Sequence, residues 1–257
     1  MDRNEKGSTE EVSSDAGNSN TPPVKTKKPM VTKEASTVVL APLKTGTVEV
    51  TIEGLGELIM HKFSEKGGLE QMRAKQWQTE DLGKKKRDAK DPIALFVASA
   101  HTMPGSPPPK VKGTKESFLK FITEGVGEAP TMSGKFCIPF AYVKGAMETA
   151  ATDANGITKA MVMRNIHILE EWIPLKASNP YMREDLVRLK DMNRTADIRY
   201  RAAFTSWEAT FHIQFNEGVV TLDMVVNLLN LGGFNSGLGE WRPEKGGVKG
   251  KFRVRES

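Results

Sequence analysis

A chain of 257 residues, 38% apolar and 27% charged, is long enough for one elaborated domain around a single core and short for two. Its longest apolar runs, such as Ile93 to Ala100, fall well below the ~20 residues a membrane-spanning helix needs, and the single Cys137 excludes an intrachain disulfide and suits a reducing cytoplasm. The formal charge of +5 lies outside residues 1–36, which hold six basic and six acidic side chains; basic clusters elsewhere fit a polyanion or an ordinary solvated surface.

Residues 1–40 are rich in Ser, Asn, Thr, Lys and Glu and show no apolar period. Such a composition cannot bury enough surface to offset the entropy of ordering, so a disordered tail is predicted, without a signal-peptide pattern in Met1 to Asn20. One domain is expected over 41–257. It opens on Thr47 to Ile52, whose β-branched alternation places Val48, Val50 and Ile52 on one strand face.

An insertion of about 64–131 follows. Lys62 to Lys90 contains nine basic and five acidic residues, including the run Lys84, Lys85, Lys86 and Arg87. Met103 to Thr114 holds four prolines, which lock φ and remove donors, and reads as flexible. Phe140 to Ala154 is a helix by the recurrence of Val143, Met147 and Ala150. Met161 to Leu169, Ile198 to Phe204 and Trp207 to Phe215 alternate as strands.

Thr221 is placed to cap a helix with the stripe Leu222, Val225, Val226 and Leu229; Gly232 and Gly233 end it, and Gly250 to Arg255 supplies a last strand. With the insertion set aside, the order is β-α-β-β-α-β. That is an α+β, ferredoxin-like (RRM-type) core, an antiparallel sheet with two helices on one face.

The segment Gly232 to Val254 puts seven glycines in 23 residues, among Trp241, Arg242, Lys245, Lys249, Lys251 and Arg253. Glycine admits positive φ and close backbone approach, and bare amides beside cations suit phosphate. Trp241 sits between glycines, where it serves base stacking or a subunit contact. Arg199 and Arg201 share one face of their predicted strand, with Arg164 beside them on the next. They face either a bound strand or carboxylates such as Asp191 and Asp197.

Two stretches carry a family resemblance. Phe136 to Ala150, with Ile138-Pro139 followed by Val143-Lys144-Gly145-Ala146, resembles the entry to the first helix in the RAMP superfamily. These are the repeat-associated RNA-binding proteins that form the backbones of CRISPR effector complexes. Gly237 to Phe252 is similar to their closing glycine-rich loop, and the likeness spans roughly residues 46–255. Trp241-Arg242-Pro243-Glu244-Lys245, with Arg199, Arg201, Phe204 and Trp207 upstream, looks closest to uncharacterised RAMP-like proteins of phages and prophages.

The resemblance implies a non-catalytic protein on single-stranded RNA or DNA, forming a homo-oligomer or filament along it, in the cytoplasm of a bacterial host. It places Lys144, Gly145, Gly237, Gly239, Arg242, Lys245 and Lys249 near the strand. It also makes the insertion a thumb or finger, in which Lys84, Lys85, Lys86 and Arg87 contact phosphate and Met72 or Trp77 wedges or stacks. Bottom-up, amides and long cations at a sheet edge also suit a non-specific backbone grip.

Enzymatic patterns are sparse. His61, His101, His167 and His212 include no pair at metal spacing, and one cysteine makes no zinc site. No P-loop, nucleophile elbow or dinucleotide fingerprint occurs, and no cofactor or metal is expected. A metal-dependent endoribonuclease of the same fold, using Asp81, Asp88 or Asp91, or His61 as a base, is the alternative. A phage assembly or interaction protein is the other.

Overall fold

The computed structural model describes residues 41–62, 91–188 and 196–256. The predicted tail lies outside them, as do Met72, Trp77, Asp81, Lys84, Lys85, Lys86, Arg87, Asp88 and Asp191. In chain order the elements are β1 (Thr45–Gly54), β2 (Leu58–Met60), α1 (Pro92–Ser99), β3 (Lys110–Lys112), α2 (Lys115–Glu124), β4 (Thr131–Ser133), β5 (Phe136–Pro139) and α3 (Phe140–Asp153). There follow α4 (Lys159–Asn165), β6 (Ile166–Ile168), β7 (Trp172–Ala177), β8 (Tyr181–Arg188), β9 (Ala196–Phe204), β10 (Trp207–Asn216), α5 (Leu222–Asn235), a tight helical turn (Pro243–Lys245) and β11 (Phe252–Val254). The fold is α+β, with two antiparallel sheets.

The first sheet has the order β11-β1-β10-β7-β5, and β6 also pairs with β10. Strands β1 and β10 run antiparallel in unbroken register from Thr45 opposite Asn216 to Glu53 opposite Glu208. Their alternation separates two faces. Val50, Ile52, Ala209, Phe211 and Ile213 are buried and join Val143, Met147 and Ala150 of α3 and Val225, Leu228 and Leu229 of α5 in one core. Each large apolar side chain so buried contributes about 1.5–3 kcal/mol.

The second sheet, β2-β9-β8-β4-β3, begins with a strand whose Leu58, Ile59 and Met60 are all fully buried. That burial matters for the site, because the backbone of β2 is what the glycine-rich segment docks on.

Three expectations change. Met161 to Leu169 is not one strand: Lys159–Asn165 is helical and only Ile166–Ile168 is extended. Thr158 starts that helix by accepting from the Met161 amide at 3.2 Å, and the Lys144 ammonium closes it by donating to the carbonyls of Val162 and Ile166. Val162 is its buried position, and Ile166, four residues on at its C-terminal cap, is buried too, a helical spacing hidden within an alternating pattern.

Gly232 and Gly233 do not end α5, which runs on to Asn235. They are contact points: a Cβ at Gly232 would lie 2.9 Å from the Ala146 carbonyl oxygen, and one at Gly233 would lie 2.0 Å from that of Phe252. The proline-rich 103–114 contains a turn, closed by the Ser106 amide on the Met103 carbonyl at 3.0 Å, and strand β3 paired to β4.

Candidate functional site

A cleft of about 270 Å³ opens between α3 and the segment 236–244. Its walls bring together Tyr142, Gly145, Glu148 and Thr149 of α3, Lys159 at the start of α4, His61 just past β2, and Gly237, Gly239, Glu240, Arg242 and Glu244. Gly145 is the telling residue. Glycine in a helix interior costs about 1 kcal/mol relative to alanine, and a Cβ there would meet nothing within 4 Å. Packing therefore does not require it, and what its missing side chain provides is room in the cleft.

The glycine-rich segment is a clasp held at many points. Gly237, Gly239, Gly246 and Gly250 have φ of 68°, 72°, 77° and 67°, the left-handed region that favours glycine. A Cβ at Gly239 would sit 2.3 Å from the Ile59 carbonyl oxygen, and Cβ atoms at Gly247 and Gly250 would each sit 1.8 Å from those of Trp241 and Leu238. The amides of Glu240 and Gly250 donate to Ile59 and Glu57 at 2.8 and 2.7 Å, tying the segment to β2 and to the residue just before it.

Most of the amides anticipated as a phosphate cradle are thus already bonded: those of Gly237, Leu238, Glu240, Glu244, Lys245, Gly246, Gly247, Lys249 and Gly250 all donate to carbonyls of the chain. Among the described residues of 237–250, the amides of Gly239, Trp241, Arg242 and Val248 remain unpaired, and of these Gly239 and Arg242 belong to the cleft wall.

Trp241 stands apart. Among the described residues it is the one non-glycine with positive φ, 55°. A bulky residue held there costs on the order of 1–3 kcal/mol and persists because its surroundings over-determine it. Its carbonyl accepts from the Lys249 amide at 2.9 Å, the residue is 44% exposed, and its ring takes part in no ring contact among the described residues.

The cations divide into bound and accessible. Arg201 is 5% exposed, and its guanidinium reaches Asp185 at 3.2 Å and Glu240 at 3.4 Å. Arg183, directly opposite it across the β8–β9 pairing, takes the other Asp185 oxygen at 2.7 Å, so one buried carboxylate separates two facing cations. Arg183 also approaches Glu57 at 3.7 Å, and Glu57 receives Lys249 and the Tyr181 hydroxyl at 2.7 Å each. Burial would raise the Glu57 carboxyl, but the bonds from Lys249 and Tyr181, with the charges of Lys249 and Arg183, outweigh it and leave the pKa below its usual value. Arg199 pairs with Asp197 at 2.7 Å and donates to His61 Nε2 at 3.2 Å. That bond leaves the proton on His61 Nδ1, a buried atom without a partner among the described residues. Burial, then the Arg201 and Arg199 charges, holds His61 below its ordinary pKa, so it is neutral at pH 7.

The anticipated site residues therefore fare differently. Gly145, Gly237, Gly239 and Arg242 meet in one cleft. Arg242 is held there by Glu244 at 2.7 Å and by the Gly239 carbonyl at 2.8 Å. Lys245 is exposed and makes no ion pair among the described residues.

Lys144 has its ammonium committed to capping α4, and burial lowers its pKa. Arg201 and Lys249 belong to the network that fastens the second sheet to the clasp, so the open cationic face expected of Arg199 and Arg201 is closed at Arg201. Arg164 is exposed in the last turn of α4, not on a strand. Asp91 caps α1 through Ile93 at 3.0 Å, and no three His, Cys, Asp or Glu among the described residues are grouped to hold a metal. Lys159 and the cleft carboxylates Glu148, Glu240 and Glu244 were not singled out. Thr158 as a helix cap would have pointed to Lys159.

The outer face of the first sheet offers a contrast. It carries Glu49, Glu53, Glu208 and His212, with Glu53 bound to Arg253 at 2.7 Å, Glu208 to Arg255 at 3.0 Å and His212 to Glu170 at 2.7 Å. These positions lack the aromatic platforms with which RRM sheets stack bases. No helix among the described residues is long and apolar enough to cross a membrane. No protein-family model matches the chain, and no curated protein is detectably similar to it in sequence.

Proposed function

We infer that the chain is a RAMP-like module of ferredoxin-like fold that binds single-stranded nucleic acid, RNA or DNA, by its phosphate backbone along the cleft, without cleaving it, in successive copies along the strand. The observation that carries this reading is the convergence at one cleft of the open Gly145 face of α3, the unpaired amides of Gly239 and Arg242, and the side chains of Arg242 and Lys159, paired there with Glu244 at 2.7 Å and Glu148 at 3.6 Å. Helix and clasp are some 90 residues apart in sequence and meet where the resemblance to RAMP proteins would put a bound strand.

The strand order supports the fold half of the reading. Within the first sheet β11, β1, β10 and β6 are neighbours in that order, all antiparallel. Helix α3 lies between β1 and β6 in the chain and α5 between β10 and β11, an order compatible with two interlocked split βαβ units.

The test is fluorescence anisotropy of the full chain with labelled single-stranded RNA and DNA across a salt series. Binding should weaken steeply with salt, as counterion release requires. Gly145→Glu, which fills the cleft and adds a negative charge, should lower affinity at least about ten-fold with an unchanged melting temperature. Absence of salt-dependent binding to either polymer, or an unaffected Gly145→Glu variant, overturns the reading. Chelator-sensitive cleavage of the probe would instead favour a metal-dependent ribonuclease.

A further inference from the structure

We propose that the Trp241 indole is a stacking platform for an unpaired nucleobase, which makes the ligand of the cleft a base-bearing single strand and not a bare polyphosphate or a duplex. The proposal rests on the backbone-binding reading above and goes beyond it, because nothing in a phosphate grip calls for an aromatic surface.

This side chain is not part of the hydrophobic core. The residue is 44% exposed, and its indole touches no other ring among the described residues. Core burial therefore does not account for a tryptophan at this position. Yet the backbone beneath it is held with unusual firmness at φ 55°. Lys249 donates to its carbonyl at 2.9 Å, Gly247 donates to the Arg242 carbonyl at 3.0 Å, and the missing Cβ of Gly247 leaves the space the Trp241 carbonyl occupies. A residue kept strained, fixed and exposed at once presents a surface to something outside the chain.

Position names the occupant. Glu240 and Arg242, on either side of Trp241, both line the cleft while Trp241 does not. Consecutive Cα atoms lie about 3.8 Å apart, so the indole leaves the backbone within one residue of the cleft wall. A strand whose phosphates follow the amides of Gly239 and Arg242 has its bases projecting beyond that wall. There an indole offers every base the same planar partner, and stacking of this kind is tolerant of sequence. The two cations that line the cleft are paired, Arg242 with Glu244 at 2.7 Å and Lys159 with Glu148 at 3.6 Å. The site thus has a modest electrostatic grip, and an aromatic surface supplies the affinity that charge does not.

The experiment compares two labelled probes of about 20 nucleotides, oligothymidylate and an abasic strand with the same phosphates, on the full chain and on Trp241→Gly and Trp241→Phe. Glycine is chosen because it accepts the positive φ, so the melting temperature should stay level or rise. The unaltered chain should bind oligothymidylate about ten-fold more tightly than the abasic strand. Trp241→Gly should bring the two together, and Trp241→Phe should keep most of the difference. Equal binding of both probes by the unaltered chain, or a preference that survives in Trp241→Gly, overturns the platform and leaves the backbone reading standing. Failure to bind either probe removes both. A change of mass by light scattering in Trp241→Gly without nucleic acid assigns the indole to a contact between copies and also overturns the proposal.

Discussion

Helices α3 and α5 both carry glycine in their interiors, for opposite reasons. In α5, Gly232 and Gly233 let backbones meet: their absent Cβ atoms would stand 2.9 Å from the Ala146 carbonyl oxygen of α3 and 2.0 Å from that of Phe252 in β11. In α3, Gly145 faces open space on the wall of the cleft. The intrinsic penalty is the same in both helices, but in α5 packing offsets it and in α3 nothing among the described residues does. The difference separates glycines that build the fold from one that the fold alone does not explain. Charge divides the same way, between Asp185, buried between two arginines, and Glu244, half-exposed at the cleft.

The contrast can be broken at its strongest point first. Asp185→Asn removes the carboxylate that Arg183 and Arg201 share, leaving the two facing cations with only the longer contacts to Glu57 and Glu240. It should cost about 3–5 kcal/mol in urea unfolding; a loss below about 1 kcal/mol would mean the network is not structural. Gly233→Ala comes next. Its methyl has no room against the Phe252 backbone, so a loss of about 1–3 kcal/mol is expected, read as a lowered denaturation midpoint. Gly145→Ala is the smallest change and has the opposite sign, a gain of about 0.5–1 kcal/mol. If alanine at Gly145 destabilised as much as alanine at Gly233, the distinction between the two helices would disappear.

Long periodic elements were legible from sequence. Strands β1 and β10 show their faces by alternation, α3 by Val143, Met147 and Ala150, and α5 by its Thr221 cap, which accepts from Met224 at 3.3 Å. Most short elements were not, β11 within Gly250 to Arg255 apart, and neither was the eight-residue β8. Helix α4 has seven residues and β2, β3, β4 and β6 have three each, too few for a period to declare itself, and their conformations come from partners far along the chain.

The site divides likewise. Gly145, Gly237, Gly239 and Arg242 stood out because glycines and cations are visible locally. Arg201 looked like a free cation because the groups that bury it, Asp185 and Glu240, lie 16 and 39 residues away. Of the loop amides, those of Glu240 and Gly250 find acceptors remote in sequence, on Ile59 and Glu57, while the other bonded ones turn back on carbonyls within 232–250, turns that glycine content alone does not specify.

The clasp on β2 also bears on how fast a ligand is taken up. A glycine-rich loop is ordinarily thought of as slack that tightens around its target, and such ordering costs affinity. Here the glycines sit where backbone touches backbone, and the loop is closed before anything arrives. Encounter then has no loop-folding step to wait for, so association should proceed at a rate set by diffusion and charge. Substitutions along the cleft will register mainly in how long the complex lasts.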